Sequence, residues 1–286
     1  MADPVEAALD TVCAAAADIR SSLEGRRAAT AGVNPSGETQ LAADVAADEL
    51  LEERLGAIDG IATYASEERE AVVHTGGDPG ADGHYSVAVD PLDGSSNLRS
   101  NNAMGTIVGV YESPLPAAGS ALVAAGYVLY GPITTAVVAR DGVVTEYEIT
   151  EDGRVPVTED VTLPSDPVVY GFGGRVPDWT ASFRGYARTI EEELKLRYGG
   201  ALVGDVNQVL TYGGVFAYPG LESRPEGKLR LQFEGHPIAA VIESAGGRSS
   251  DGSGSLLERT PQGLHERTPL CVGNEGLIER LESALD

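Results

Sequence analysis

The sequence predicts an α/β or layered α+β fold, because both halves of the chain mix helical and strand-like patterns. A helical stripe opens the chain, with spacings of four and three residues between Val5, Leu9, Val12, Ala16, Ile19 and Leu23. Alternating apolar runs that are typical of strands follow. The length of 286 residues and the 42% hydrophobic content allow a large core, and we expect two lobes.

The first lobe is predicted to contain two helices and a series of strands. After the opening helix, the turn-rich stretch AGVNPSG separates it from a second helix over about Leu41 to Leu55. Asp44 and Asp48 lie one turn apart on that helix, and we interpret Asp48 as part of a solvated acidic face. Strands are predicted at GIATYA, at Tyr85 to Val89, and at GTIVGVY, TTAVVAR and VVTEYEI.

The stretch VPVTEDVTLPSDP is rich in proline and turn residues, which predicts a lobe boundary near residue 160. The lobes then span residues 1–160 and 161–286. In the second lobe, helices are predicted at WTASFRGYARTIEEELKL, HPIAAVIESAGG and NEGLIERLESAL, and strands at GGVFAYP, LRLQF and TPLCVG.

The charge of the chain restricts its partners. Twenty basic residues against 44 acidic ones give a net charge of −24. Phosphate binding along a polymer or a membrane needs basic clusters, so we expect neither nucleic acid nor an anionic membrane as a partner. Lys195 and Lys228 are the only lysines. Dispersed acids with so few lysines favour adaptation to a saline cytosol, and an ordinary acidic protein is the alternative.

The sequence also predicts a cytoplasmic protein. No segment approaches the roughly 18 to 20 consecutive apolar residues of a membrane span. The first residues, MADPVEAALD, are acidic, and we expect no secretory signal there. Cys13 and Cys271 are the only cysteines, so reduced thiols are expected rather than a disulfide framework.

The stretch VDPLDGSSN places two acids around a proline at the end of a predicted strand. The Asp90 and Asp93 carboxylates and the Leu92 carbonyl are hard oxygen ligands of the kind that Mg²⁺ prefers. Gly94 allows close backbone approach to a ligand, and Ser95 and Ser96 can cap a helix end that faces an anion. Because the same residue types form ordinary turns, spacing alone leaves a metal-phosphate site and a structural turn equally open.

VDPLDGSSN resembles the signature of the magnesium-dependent, lithium-sensitive sugar phosphatases. A second stretch, GKLRLQFEGHPIA, resembles the C-terminal signature of class I fructose-1,6-bisphosphatases. The stretches YASEE, MGTIVGVY, LVAAGYVLYGP, LRYGGALVGDV and YGGVFAYP follow the order of the family's other landmarks. The resemblance implies the layered α-β-α-β-α fold of these phosphatases.

The resemblance also implies a metal cluster of two or three Mg²⁺, with Mn²⁺ as a substitute. Its ligands would be Glu67, Glu68, Asp90, the Leu92 carbonyl, Asp93 and Glu234. By the same resemblance, Asp44 and Glu68 orient and deprotonate the attacking water. Glu38 stands where the family has an aspartate, which leaves its role open.

Substrate contacts follow from the same resemblance. Gly94, Ser95 and Ser96 would hold the departing 1-phosphate, and Asp93 and Asn97 would reach the adjacent sugar. Tyr198, Tyr218 and Lys228 match contacts to the sugar and its 6-phosphate. Arg197 matches an arginine that the family borrows from a neighbouring subunit, which implies a homo-oligomer, a dimer or a tetramer. Without the resemblance, Tyr198 and Tyr218 would be interpreted as core aromatics, and Arg230 remains open between phosphate binding and structure.

Two departures from the family pattern concern substrate preference and regulation. YGFGGRVP occupies the place of a stretch that offers neutral side chains to the 6-phosphate, and here Gly173 and Arg175 stand nearby. The N-terminus does not match the family's AMP-binding helix and loop, so we expect no AMP inhibition.

The resulting prediction is Mg²⁺-dependent hydrolysis of the 1-phosphate of fructose 1,6-bisphosphate, in gluconeogenesis. The alternatives are another sugar phosphatase, acting on sedoheptulose 1,7-bisphosphate or inositol monophosphate, and a non-catalytic sugar-phosphate sensor on the same fold.

Overall fold

The structure is a computed structural model that describes residues 3–27, 29–35, 37 and 39–286. Glu38 lies outside these described residues. The helices of the described chain are α1 (Pro4–Ser22), α2 (Ala42–Gly56), α3 (Ala181–Glu193), α4 (Leu202–Tyr212), α5 (His236–Ser244) and α6 (Glu275–Leu285). None of the helices found in these ranges is long and apolar enough to cross a membrane.

An eight-stranded mixed sheet forms the first half, in the order β10-β9-β8-β7-β6-β5-β3-β4. Strands β3 and β5 are parallel, and the other neighbours are antiparallel. Its strands are β3 (Ile61–Ser66), β4 (Val73–His74), β5 (Tyr85–Asp93), β6 (Met104–Tyr111), β7 (Leu122–Tyr130), β8 (Thr134–Arg140), β9 (Val143–Thr150) and β10 (Gly153–Thr158). A separate hairpin, β1 (Ala29–Val33) with β2 (Thr39–Leu41), precedes α2.

A five-stranded mixed sheet forms the second half, in the order β12-β11-β13-β17-β15. Its strands are β11 (Val169–Phe172), β12 (Lys195–Leu196), β13 (Gly214–Tyr218), β15 (Arg248–Ser250) and β17 (Leu270–Gly273). A two-stranded ladder pairs β14 (Leu229–Arg230) with β16 (Arg267–Thr268).

The helices and sheets stack in five layers, which confirms the predicted layered α+β class. Helices α1 and α2 cover one face of the large sheet, and α4 and α5 lie between the two sheets. Helices α3 and α6 cover the outer face of the small sheet. One apolar core joins the halves, since Ile107 and Tyr127 of the large sheet share a cluster with Phe216 and Val272 of the small one.

The structure differs from the predicted elements in three places. The proline-rich stretch near the boundary begins with a real edge strand, because β10 pairs with β9. The stretch LRLQF is a strand only over β14, and its remainder is a single π-helical turn, Leu231–Gly235, that leads into α5. Helix α4 was not predicted at all. The division at residue 160 stays a prediction.

Asp48 is not part of a solvated face, and that prediction was wrong. Its side chain is buried, accepts a hydrogen bond from the Tyr64 hydroxyl (2.8 Å), and accepts another from Arg69 Nε (2.6 Å). A buried carboxylate is tolerated when it is paired and hydrogen-bonded, as this one is. The pairing also fixes the chain immediately after Glu68.

Candidate active site

The two acids of the VDPLDGSSN motif are directed to one side of β5 by a bulge. Along β5, Asp90 pairs with Ile107 but Asp93 pairs with Gly105, so three residues of one strand oppose two of the other. In a regular strand, residues three apart point to opposite faces, and the extra residue removes that alternation. Asp90 and Asp93 are therefore both buried in the same cavity.

The Glu67-Glu68 pair reaches the same cavity because β3 and β5 are parallel neighbours. The carboxyl ends of parallel strands meet at one edge of a sheet, and Glu67 N–H donates to the Val89 carbonyl there (3.0 Å). Glu68 Oε2 accepts a hydrogen bond from Gln40 Nε2 (2.6 Å).

The final acid comes from the second half of the chain. Glu234 lies in the π-helical turn before α5, a feature that is frequent at functional sites. Its Oε2 accepts a hydrogen bond from the Arg230 N–H (2.6 Å). One carboxylate oxygen each from Glu67, Asp90 and Glu234 lies within 4.8 Å of the others, and all three residues are buried.

Burial raises the pKa of four of these acids, Glu68, Asp90, Asp93 and Glu234. Desolvation, together with the neighbouring Glu67 and Asp44 carboxylates, raises the pKa of Glu68 to about 8. Desolvation is also the main cause of the raised pKa values of Asp90, Asp93 and Glu234. The Arg230 guanidinium is the buried cation beside them, with Nη2 3.0 Å from Glu67 Oε1. The sequence left the role of Arg230 open, and the structure places its buried guanidinium beside the acids.

Asp44 lies in the first turn of α2 and faces the acidic cluster. Its Oδ2 accepts a hydrogen bond from the Leu41 N–H (2.6 Å). Burial nevertheless raises the pKa of Asp44 to about 6. The group is therefore a carboxyl that can take up a proton close to neutral pH.

The glycine and serines of the motif form the next part of the cavity. Gly94 has a φ of 72°, and a Cβ there would lie 2.3 Å from the Ala201 Cβ, so both its conformation and the available space require glycine. A 3₁₀ turn, Ser95–Arg99, follows it. Val203 N–H at the start of α4 donates to Asp93 Oδ2 (2.8 Å), which joins the two halves of the chain at the motif.

The cavity measures about 200 Å³, and the predicted site residues line it except for Asn97 and Arg197. Its described lining includes Asp44, Glu67, Glu68, Asp90, Leu92, Asp93, Gly94, Ser95, Ser96, Tyr198, Tyr218, Lys228 and Glu234. Most of these acids come from the first half of the chain, and Tyr198, Tyr218, Lys228 and Glu234 come from the second half. The Lys228 ammonium lies 5.5 Å from the centroid of the Tyr218 ring, within the range of a cation–π contact.

Asn97 does not line the cavity, and its side-chain amide is bonded within the protein. Its Nδ2 donates to the carbonyls of Ala103 and Gly199, each at 2.9 Å. One bond therefore holds the loop that carries Tyr198, and the other holds the segment that leads into β6. The contact of Asn97 with the sugar stays a prediction.

Arg197 and Arg175 do not line the cavity. The Arg197 side chain is exposed and donates a hydrogen bond to the neighbouring Leu196 carbonyl (3.1 Å). Arg175 is exposed at the turn that follows β11.

Two polar side chains in the lining, Asn34 and Asp205, were not predicted from the sequence. Asp205 is buried and accepts hydrogen bonds from the N–H groups of Gly199 and Gly200, at 2.5 and 3.1 Å. Burial raises the pKa of Asp205 to about 6. An acid amid the apolar residues of LVGDV was the available signal, and it was not used.

The donor set fits a divalent metal. Buried carboxylates with raised pKa values hold their negative charge poorly unless a cation compensates it, and Arg230 supplies one charge beside several acids. All the donors are hard oxygens, which suit Mg²⁺ or Mn²⁺ rather than Zn²⁺ in a thiolate or imidazole site.

Comparisons with known proteins cover the whole chain. Family models described as the N-terminal and C-terminal domains of fructose-1-6-bisphosphatase match residues 6–158 and 163–286. The chain is 68% identical over 286 residues to the class 1 fructose-1,6-bisphosphatase of Natronomonas pharaonis, with 100% of both chains covered. It is 58% identical over 285 residues to that of Halobacterium salinarum, which covers 100% of this chain and 98% of the relative.

Solved structures show the same similarity. The crystal structure of Leishmania major fructose-1,6-bisphosphatase in holo form matches with a TM-score of 0.88 and 27% identity. The match covers 97% of this chain and 92% of that chain. The resemblance predicted from the two sequence signatures is thus confirmed, and the chain belongs to the fructose-1,6-bisphosphatase family.

Proposed function

We propose that the chain hydrolyses the 1-phosphate of fructose 1,6-bisphosphate to give fructose 6-phosphate and inorganic phosphate. The observation that carries this proposal is the composition of one cavity. A cluster of buried acids, with Glu67, Asp90 and Glu234 within 4.8 Å of one another, shares it with the Tyr218–Lys228 pair. A sugar with two phosphates suits both groups of residues, since one phosphate can react at the acids and the other can bind at the Tyr218–Lys228 pair.

The acids have two proposed roles. Glu67, Glu68, Asp90, Asp93, Glu234 and the Leu92 carbonyl hold two or three Mg²⁺, with Mn²⁺ as a substitute. When bound, divalent cations neutralise charge that develops on the phosphoryl oxygens and lower the pKa of water. Asp44 and Glu68 orient the attacking water and accept its proton, for which their raised pKa values suit them.

The remaining lining residues position the substrate. The N–H groups and hydroxyls of the Gly94-Ser95-Ser96 turn hold the transferred phosphoryl group, as expected of a helix start that faces an anion. As the new bond between water oxygen and phosphorus forms, the bond from phosphorus to the C1 oxygen of the sugar breaks, and that oxygen gains a proton. Tyr198, Tyr218 and Lys228 bind the sugar and the phosphate that stays on it.

The proposed division of the chain follows these roles. Residues 1–160 supply the water-activating acids and most metal ligands, and residues 161–286 supply the sugar-phosphate contacts together with Glu234. Arg197 is proposed to complete the site of a neighbouring subunit in a dimer or tetramer. It is exposed at the edge strand β12, beside Leu196 and Tyr198, which are 57% and 48% exposed. Light scattering on the purified protein measures the oligomer size.

The setting of the enzyme is proposed from its charge and its product. A net charge of −24 favours a saline cytoplasm, where salt screens self-repulsion. Release of fructose 6-phosphate from the bisphosphate is a step of gluconeogenesis, and that is the role we assign.

A phosphate-release assay in molar-range KCl with Mg²⁺ tests the proposal. The substrates are fructose 1,6-bisphosphate, sedoheptulose 1,7-bisphosphate and inositol monophosphate. We expect the highest kcat/KM for fructose 1,6-bisphosphate. A higher value for one of the other sugars would reassign the substrate, and binding without phosphate release from any of them would identify a sensor.

A further inference from the structure

Gly173 lies directly behind the part of the cavity that is formed by Tyr218. Strands β11 and β13 are parallel, and their register pairs Phe172 with Ala217. Gly173 continues this pairing, because its N–H donates to the Ala217 carbonyl (2.8 Å). Gly173 and Tyr218 are therefore neighbours across the two strands, with side-chain positions on the same face of the sheet.

The Tyr218 ring occupies the space of the missing side chain. A Cβ on Gly173 would lie 2.2 Å from Tyr218 Cδ2, 2.4 Å from Cε2 and 2.7 Å from Cγ. Each distance is far below the van der Waals contact of two carbon atoms. The φ of Gly173 is outside the left-handed region, so space, and not backbone conformation, is what requires glycine at this position.

The backbone of Gly173 is held on two sides and gives the ring little room to adjust. Its N–H is bonded to Ala217, and its carbonyl accepts a hydrogen bond from Trp179 Nε1 (2.8 Å). Trp179 is in turn packed edge-on against Phe172 and Phe183 in the core below α3. A side chain at residue 173 would therefore displace the Tyr218 ring rather than the strand.

Displacement of the Tyr218 ring would also remove the neighbour that the Lys228 ammonium contacts. The Lys228 ammonium lies 5.5 Å from the Tyr218 ring centroid, and within the described chain it has no carboxylate partner. The ring is thus the neighbour that positions this cation in the cavity. Tyr218 and Lys228 line the cavity, whereas Gly173 does not.

We propose that Gly173 is a positioning residue that sets the selectivity of the site for substrates with a second phosphate. Because residue 173 has no side chain, the Tyr218 ring can pack directly against its backbone. In this position the ring and Lys228 line a space that an anionic group of the substrate can fill. This inference rests on the proposed function, because it concerns the end of the substrate that does not react.

The test compares Gly173→Ala with Gly185→Ala. Gly185 lies on the exposed face of α3, where an added Cβ meets no atom within 4 Å, so it is a matched control for the same chemical change. Steady-state kinetics are measured for fructose 1,6-bisphosphate and for p-nitrophenyl phosphate, a monoester without a second phosphate. Binding of fructose 6-phosphate is measured by calorimetry, and thermal melting is followed for each variant.

For Gly173→Ala we expect the KM for the bisphosphate to rise about tenfold or more, with a much smaller change in kcat, since a misplaced cation weakens capture of the distal phosphate. Fructose 6-phosphate should bind correspondingly more weakly, and p-nitrophenyl phosphate should be hydrolysed with nearly unchanged kcat/KM. Gly185→Ala should keep the kinetics of the parent protein, with an equal or slightly higher melting temperature because alanine is the better helix former. In a Lys228→Ala background, Gly173→Ala should add little further loss, because both changes remove the same contact.

Equal losses on both substrates, or an unchanged KM for the bisphosphate, would overturn the inference. If Gly173→Ala does not fold, Tyr218→Leu is added to remove the ring atoms that collide with the new Cβ. Restored folding would support the contact, and failure to restore it would refute it. The parent protein serves as the separate test of the proposed function: without phosphate release from the bisphosphate by the parent, that proposal fails irrespective of residue 173.

Discussion

Lys228 is the residue whose replacement best separates capture of the substrate from the reaction itself. Its ammonium lies 5.5 Å from the Tyr218 ring centroid, in a half-buried position at the lining of the cavity. Like Tyr198 and Tyr218, it comes from the second half of the chain. In the proposed orientation it binds the phosphate that stays on the sugar. The variant is Lys228→Ala.

The magnitude follows from the loss of one charge-assisted contact. Such contacts contribute roughly 1.5 to 3 kcal/mol. With about 1.4 kcal/mol for each factor of ten, the expected loss in kcat/KM for fructose 1,6-bisphosphate is about ten- to hundredfold. Because the described chain offers the ammonium no carboxylate partner, the substitution leaves no buried acid unpaired, and we expect little change in the melting temperature.

The assay measures phosphate release from fructose 1,6-bisphosphate and p-nitrophenol release from p-nitrophenyl phosphate, at saturating Mg²⁺ and in molar-range KCl. Lys195→Ala is the matched control, since Lys195 is the other lysine of the chain and is exposed on β12. Lys228→Ala should lose activity only on the bisphosphate, and Lys195→Ala on neither. Equal losses of Lys228→Ala on both substrates would place the lysine at the reacting phosphate or in the fold, and the proposed orientation of the substrate would be wrong.

Three further predictions concern the metal site and the surface. Asp93→Asn should nearly abolish turnover, because an amide supplies no negative charge to a cation. The melting temperature should stay the same, since the amide oxygen can still accept the hydrogen bond from the Val203 N–H. Near-normal turnover at ordinary Mg²⁺ concentration would contradict the assignment of Asp93 to the metal cluster. In EDTA the protein should become less stable as pH rises from about 4.5 to 8.5, since Glu68, with a folded pKa of about 8, binds its proton more tightly in the folded chain than in the unfolded one. Melting curves with and without Mg²⁺ check this, and a metal-free stability that rises with pH would refute it. The melting temperature should also fall as KCl is withdrawn, because the repulsion within a chain of net charge −24 is then no longer screened by salt. A melting midpoint that does not depend on salt would show that the acidic composition has another cause.

The sequence by itself determined the elements whose burial is periodic, together with most of the acids that line the cavity. The stripe from Val5 to Leu23 predicted α1, and the structure has that helix at Pro4–Ser22. The motif VDPLDGSSN identified Asp90 and Asp93 as candidates, and the two signatures identified the family. Period and residue type are local properties, so a single segment contains enough information to predict them.

Only the tertiary structure decided what each side chain meets. Asp48 and Asp44 share one helix face, yet Asp48 is paired with Arg69 and Tyr64 while Asp44 faces the cavity. The amide of Asn97, assigned to the sugar from its place in the motif, is used by Gly199, 102 residues further along the chain. The contact between Gly173 and Tyr218 exists because β11 and β13 pair in one register. Strand order and register join segments that are distant in sequence, and no periodicity within one segment encodes its partner.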